Sequence, residues 1–214
     1  MNFVFNSSSV SDDSDEPEER VQPSWMGAPE DVLGVSVPAE LFLARTANVV
    51  IALSNVMVYP NGCVLSVHIA GRQANLDEDA WWNLADAGFG QRHHPRRKRQ
   101  DGRPSDEERR FGVRYRDGRT ATTLGGFPHW QPGASDPAAP LLTHQGGGGG
   151  SSGVSTFQID ERLWLWPLPP AEPFELITEW PLAGIPVTIV ELDGAAINTA
   201  AGRSLPYWPD PDDG

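Results

Sequence analysis

Lysine and cysteine are almost missing from this 214-residue chain, with a single Lys98 and a single Cys63. One cysteine excludes an intrachain disulfide, a CxxC redox pair and a cysteine-rich zinc or iron–sulfur site. Lys98 sits within a run of arginines, which leaves a phosphate-binding Walker loop, a kinase-type strand lysine and a Schiff-base lysine without a good candidate. Long apolar runs are missing too. The most apolar window, Leu41 to Tyr59, is interrupted by Arg45, Asn48 and Asn55, too many polar residues for a membrane span. Met1 to Val10 has no basic n-region and no apolar h-region, which predicts a protein without a secretory signal. Together with the lone thiol this predicts a cytoplasmic location.

Glycine (22) and proline (20) are abundant, and they punctuate the chain into many short elements. The formal charge of −13 is unevenly spread: −7 over residues 1–31, +6 over 92–119 and −8 over 160–214. A molecule so acidic repels nucleic acid and anionic lipid unless the basic stretch acts alone.

Residues 6–24 are polar, acidic and nearly free of large apolar side chains and cannot offset their ordering entropy, so residues 1–24 are expected to be a disordered acidic tail. From Val32 the character changes to strands. Val49–Tyr59 is apolar on both faces, which predicts a central strand covered on both sides. Pro60-Asn61-Gly62 predicts a hairpin, since Asn-Gly tolerates positive φ. In the returning strand, Cys63, Leu65, Val67 and Ile69 share one face. Asp77–Ala85 reads as a short helix with an acidic first turn and a stop at Gly88. A second hairpin is expected over Phe111–Leu124, turning at Asp117-Gly118. If that turn has two residues, Arg116 and Arg119 oppose each other and Arg114 shares their face.

Residues 72–110 and 125–153, the latter with its five-glycine run, read as mobile insertions. The last block is β again: Phe157–Ile159, Arg162–Trp166, Phe174–Trp180 and Val187–Leu192, bounded by prolines. Asp193–Gly202 predicts one or two helical turns with Asp193 as N-cap. About eight short strands without a βαβ rhythm predict a mainly β chain. The expected form is a single antiparallel β-sandwich, immunoglobulin- or jelly-roll-like, over residues 25–209, with one or two short helices and a disordered 210–214 end.

Several constellations carry chemistry on paper. Gly149-Gly150-Ser151-Ser152-Gly153 matches the serine-hydrolase elbow, but polyglycine precedes it and a strand follows, which favours a linker. Arg92, Arg96, Arg97, Lys98 and Arg99, with His93 and His94, form the strongest electrostatic feature. Joined by Arg114, Arg116 and Arg119, they are the candidate polyanion-binding residues, for nucleic acid or phosphate. A solvated loop paired with the acidic tail is the plainer account of the run. His68, His129 and His144 have no metal-ligand spacing, so no metal and no cofactor is expected. Glu175 and Glu179 lie roughly 13 Å apart on a strand, too far for a glycosidase pair. Trp164, Trp166 and Trp180, with Leu163, Leu165, Phe174 and Leu176, read as core rather than as a sugar-stacking face.

The segments Pro38–Gly62, Arg110–Arg119, the polyglycine, Leu163–Pro170 and Glu179–Ile185 resemble a family of uncharacterised small β-domain proteins from GC-rich, actinobacterial-type genomes. The resemblance implies a single cytosolic β-domain and brings no reaction, ligand or functional residue with it. The expected function is therefore a non-catalytic binding or protein-interaction module, with exposed sheet edges that pair with a protein partner. Polyanion binding through the 92–119 patch is the first alternative. A hydrolase assembled from loop residues such as His129, His144, Asp160 and Glu161 is the second.

Overall fold

The computed structural model describes residues 22–90, 104–128, 135–146 and 149–208. Most of the predicted acidic tail, the run from Arg92 to Arg99, His129 and residues 209–214 lie outside the described residues.

The first half builds β1 (Val32–Leu33), β2 (Val35–Arg45), β3 (Val49–Tyr59), β4 (Gly62–Arg72) and α1 (Glu78–Gly90). After the basic segment come β5 (Arg110–Arg114), β6 (Thr120–Thr122), β7 (Leu141–Gln145) and β8 (Gly150–Ser152). The chain closes with β9 (Thr156–Trp166), β10 (Pro173–Trp180), β11 (Ile185–Asp193), α2 (Gly194–Ala201) and β12 (Leu205–Pro206). One sheet runs β2-β3-β4-β9, with β7 and β8 both on the far side of β9; a second runs β11-β10-β5-β6; β1 and β12 form a ribbon. Every pairing is antiparallel. Neither large sheet closes into a barrel, and the inner faces of both contribute to one hydrophobic core, so the fold is of β-sandwich type.

Alternation decides which residues enter that core. Ile51, Leu53, Val56 and Val58 of β3 meet Cys63, Leu65, Val67 and Ile69 of β4, and Phe157, Ile159, Leu163 and Leu165 of β9 extend the layer. The second sheet answers with Phe111, Val113, Phe174, Leu176 and Trp180. On its other face β3 is only half covered, with Ser54 exposed, so the double covering expected for it is partial.

Several local expectations need correction. The first hairpin turns on Pro60-Asn61, because Tyr59 pairs with Gly62, and neither Asn61 nor Gly62 has a positive φ. Glycine is needed at 62 for space: a Cβ there would lie 2.6 Å from the Leu165 carbonyl oxygen and 2.7 Å from the Trp164 ring. Gly88 does not stop α1. It lies inside the helix, buried, where a Cβ would come within 3.1 Å of Ile159, so it allows the helix to close onto β9. Asp77 caps that helix, its carboxylate accepting from the Ala80 amide. Trp81 stacks on Phe157, with ring centroids 5.6 Å apart, and donates its indole N–H to the Val154 carbonyl. The segment 125–153, read as one linker, contains β7 and β8. The register jumps from Gln145 opposite Arg162 to Gly150 opposite Ile159, with the Asp160 amide bonded to the Gly149 carbonyl, so the ladder on this side of β9 shifts between its two short strands.

Candidate interaction surface

The second hairpin carries the described part of the expected basic site. Arg114 pairs with Thr120 and Val113 with Ala121, and the Tyr115 amide bonds the Arg119 carbonyl. Tyr115 and Arg119 therefore face each other across a three-residue turn that ends on Gly118, whose φ is +89°. Arg116 and Arg119 are not opposed. The extra residue relieves the like-charge clash that a two-residue turn would have imposed.

Each neighbouring arginine has found a carboxylate of the same chain. Arg114 is paired with Glu175, Arg110 with Glu179 at 2.6 Å, and Arg119 with Asp117 at 2.7 Å. The Arg119 amide and then its guanidinium hold the Asp117 carboxyl below its ordinary value, and the bond to Glu175 raises the Arg114 guanidinium. Glu175 and Glu179, two residues from Ile177 on either side, are thus the ion-pair partners of Arg114 and Arg110. Arg116 is exposed and has no ion pair among the described residues. Arg92, Arg96, Arg97, Lys98 and Arg99 lie outside them.

The residues named for hydrolysis are separated by the pleat. Asp160 and Glu161 are successive in β9 and point to opposite faces. Asp160 meets Nδ1 of His68 at 2.8 Å on the outer, solvated face of the six-stranded sheet. Glu161 turns inward and forms a buried ion pair with Arg109, whose guanidinium also lies 4.9 Å from the Trp180 ring centroid. That pair ties the two layers together rather than facing a ligand. His144 sits on β7 opposite Leu163, and His129 lies outside the described residues. Ser151 is an exposed strand residue opposite Gln158, without the strand–turn–helix that a nucleophile elbow needs. Among the described residues no three His, Cys, Asp or Glu side chains cluster as metal ligands. Trp164 and Trp180 are fully buried, while Trp166 is half-buried and donates its indole N–H to the Ser24 hydroxyl.

What remains available for a partner is at the sheet edges. The β2 edge is broken by two register shifts, by Pro38 and by Glu40 at a φ of 51°. The β7–β8 edge is interrupted, and β6 has only three residues. These are the ways in which natural sheets discourage edge pairing. The β11 edge differs. It is nine residues long, it pairs with β10 on one side only, and among the described residues no main-chain hydrogen bond reaches it from the other. Its centre is uncharged and β-branched, Val187-Thr188-Ile189-Val190, with Val187 57% and Ile189 49% exposed. Its blunting devices lie towards the two ends: Pro186 and a register shift against β10 between Ile185 and Thr188 at the start, and the charges of Glu191 and Asp193 at the finish. No sequence signal singled this strand out, because Val187–Leu192 looks like any core strand until its neighbours are known.

Large apolar side chains are also exposed on the β1–β12 ribbon, where Leu33 pairs with Leu205 beside Tyr207 and Trp208. Among the described residues no helix is long and apolar enough to cross a membrane. Comparison with models of known protein families, with curated proteins and with solved structures finds no match.

Proposed function

We propose that this chain is a non-catalytic protein-interaction module whose partner adds a strand to β11. The observation that carries the reading is the contrast among the four sheet edges. Three are broken or too short to template a strand, and the fourth presents an uncharged, β-branched central run, Val187-Thr188-Ile189-Val190, that no main-chain hydrogen bond reaches from its outward side among the described residues. Strand addition draws affinity from main-chain hydrogen bonds and specificity from alternate side chains, both of which β11 supplies. The outer faces offer less. That of the four-stranded sheet is occupied by the pairs Arg110–Glu179 and Arg114–Glu175. Two of the three described arginines assigned to polyanions, Arg114 and Arg119, are likewise held by carboxylates, so the described residues do not favour that alternative. A cytoplasmic setting belongs to the same reading, resting on the single, buried Cys63.

The test is affinity purification of the full chain from its native cell, beside the variants Val187→Lys and Ile189→Lys. Charges at those exposed positions block edge pairing and leave the core untouched. The expected result is a stoichiometric protein that is lost with either variant and that slows amide exchange over residues 186–192 when bound. A partner retained by both variants, or protection confined to the six-stranded sheet, overturns the reading.

A further inference from the structure

The cross-strand rows of the four-stranded sheet describe the strand that would complete it. On the outer face, Glu191 of β11 stands directly opposite Glu175 of β10, and Glu175 stands opposite Arg114 of β5. Like charges opposed across a ladder are unfavourable unless each is neutralised from its other side. Glu175 is neutralised, by its ion pair with Arg114. Glu191 is exposed and has no cationic partner among the described residues. Its remaining neighbour position lies past the edge of the sheet, where an added strand would run. The adjacent row reads Ile189, Ile177, Gly112, apolar throughout, and Val187 extends the apolar surface beyond it.

We infer that the partner presents to β11 an extended segment with a basic residue facing Glu191 and apolar residues facing Ile189 and Val187. A base there completes a row in which each of the two carboxylates has a cation of its own. The wider field agrees, since residues 160–214 carry a net −8 and Asp193 lies at the same end of the strand. Antiparallel addition continues the pattern of every other pairing in the sheet and is the more stable per residue. Read from its N-terminus, the incoming segment is then base, any residue, apolar, any residue, apolar. This inference rests on the strand-addition reading and assigns the chemistry of that same site.

The probe is a fluorescent, end-blocked peptide containing Lys-Thr-Val-Thr-Val, compared with the same peptide bearing Glu in place of Lys and with an N-methylated copy that cannot pair. Binding to the full chain is followed by anisotropy at two salt concentrations. The basic peptide is expected to bind roughly fivefold more tightly than the acidic one. The preference should vanish with Glu191→Gln and reverse with Glu191→Lys, while the N-methylated copy does not bind. Equal binding of the basic and acidic peptides, or a preference that Glu191→Lys leaves intact, overturns the charge assignment while the strand-addition reading stands. Binding by neither peptide overturns the assignment as well, and strand addition is then judged by the lysine variants of β11 alone.

Discussion

Glu161 and Arg109 meet inside the sandwich with side chains 6% and 0% exposed, so their value depends on each other's presence. Removing one partner strands a desolvated charge. Glu161→Ala is therefore expected to lower unfolding free energy by roughly 3–5 kcal/mol, measured by urea denaturation, whereas Arg109→Met with Glu161→Leu should be close to neutral. The Tyr115 hydroxyl is a different case, since it is buried with no hydrogen-bond partner among the described residues. Burial raises its pKa, with nearby Cys63 adding to the rise, and burial alone pushes the Cys63 thiol from its ordinary 9.0 up to about 12. Both groups hold their protons longer folded than unfolded, so stability is full below pH 9 and is lost as pH rises from there. Tyr115→Phe should leave stability at pH 7 unchanged or slightly higher and make the alkaline loss shallower, read from melting temperatures between pH 7 and 11. Gly62→Ala, which drives a Cβ into the Leu165 carbonyl, should cost about 1–3 kcal/mol.

The elements differ in how openly their residues announced them. The β3–β4 hairpin, α1 and α2 were legible from alternation and capping chemistry, and Asp193 does cap α2, accepting from the Ala196 amide at 3.0 Å. Asp193→Ala should destabilise by ~1 kcal/mol, with the loss of helical signal at 222 nm checking that the effect is local. β7 is not legible from its residues, because Leu141–Gln145 is a short stretch flanked by proline and glycine, and only its pairing with β9 makes it a strand. Phe157–Ile159 and Arg162–Trp166 read as two strands because Asp160 and Glu161 intervene. They form one strand, β9, because Asp160 points outward to His68 and Glu161 inward to Arg109. The residues of β11 mark it as a strand, but nothing in them marks it as an edge.

Across the whole molecule, residues from both sheets, α1 and α2 contribute to a single core cluster. Neither layer has an apolar interior of its own to fall back on. Unfolding should thus be one cooperative event, with tryptophan fluorescence and far-ultraviolet circular dichroism giving the same denaturant midpoint. Separated midpoints would mean that the two layers hold together less tightly than the shared core implies. The charge of −13 keeps such molecules apart in dilute buffer, and that restrains the open β11 edge from pairing with copies of itself.

Fold class, the placement of most strands, the core role of Trp180, Phe174, Leu163, Leu165 and Leu176 and the weakness of the elbow motif follow from composition and periodicity. These are properties that near neighbours in the chain share, and a pleat or a helical turn converts them directly into burial. Trp164, by contrast, is buried outside the shared core cluster, and Trp166 is only half-buried. The site was decided elsewhere. Which carboxylate answers which arginine, which strand lies at a rim, and whether that rim is broken depend on contacts between residues far apart in the chain, such as Arg110 and Glu179, 69 positions apart, and His68 and Asp160, 92 apart. Local patterning constrains the face a side chain occupies, but only the assembled sheets determine what lies beside it.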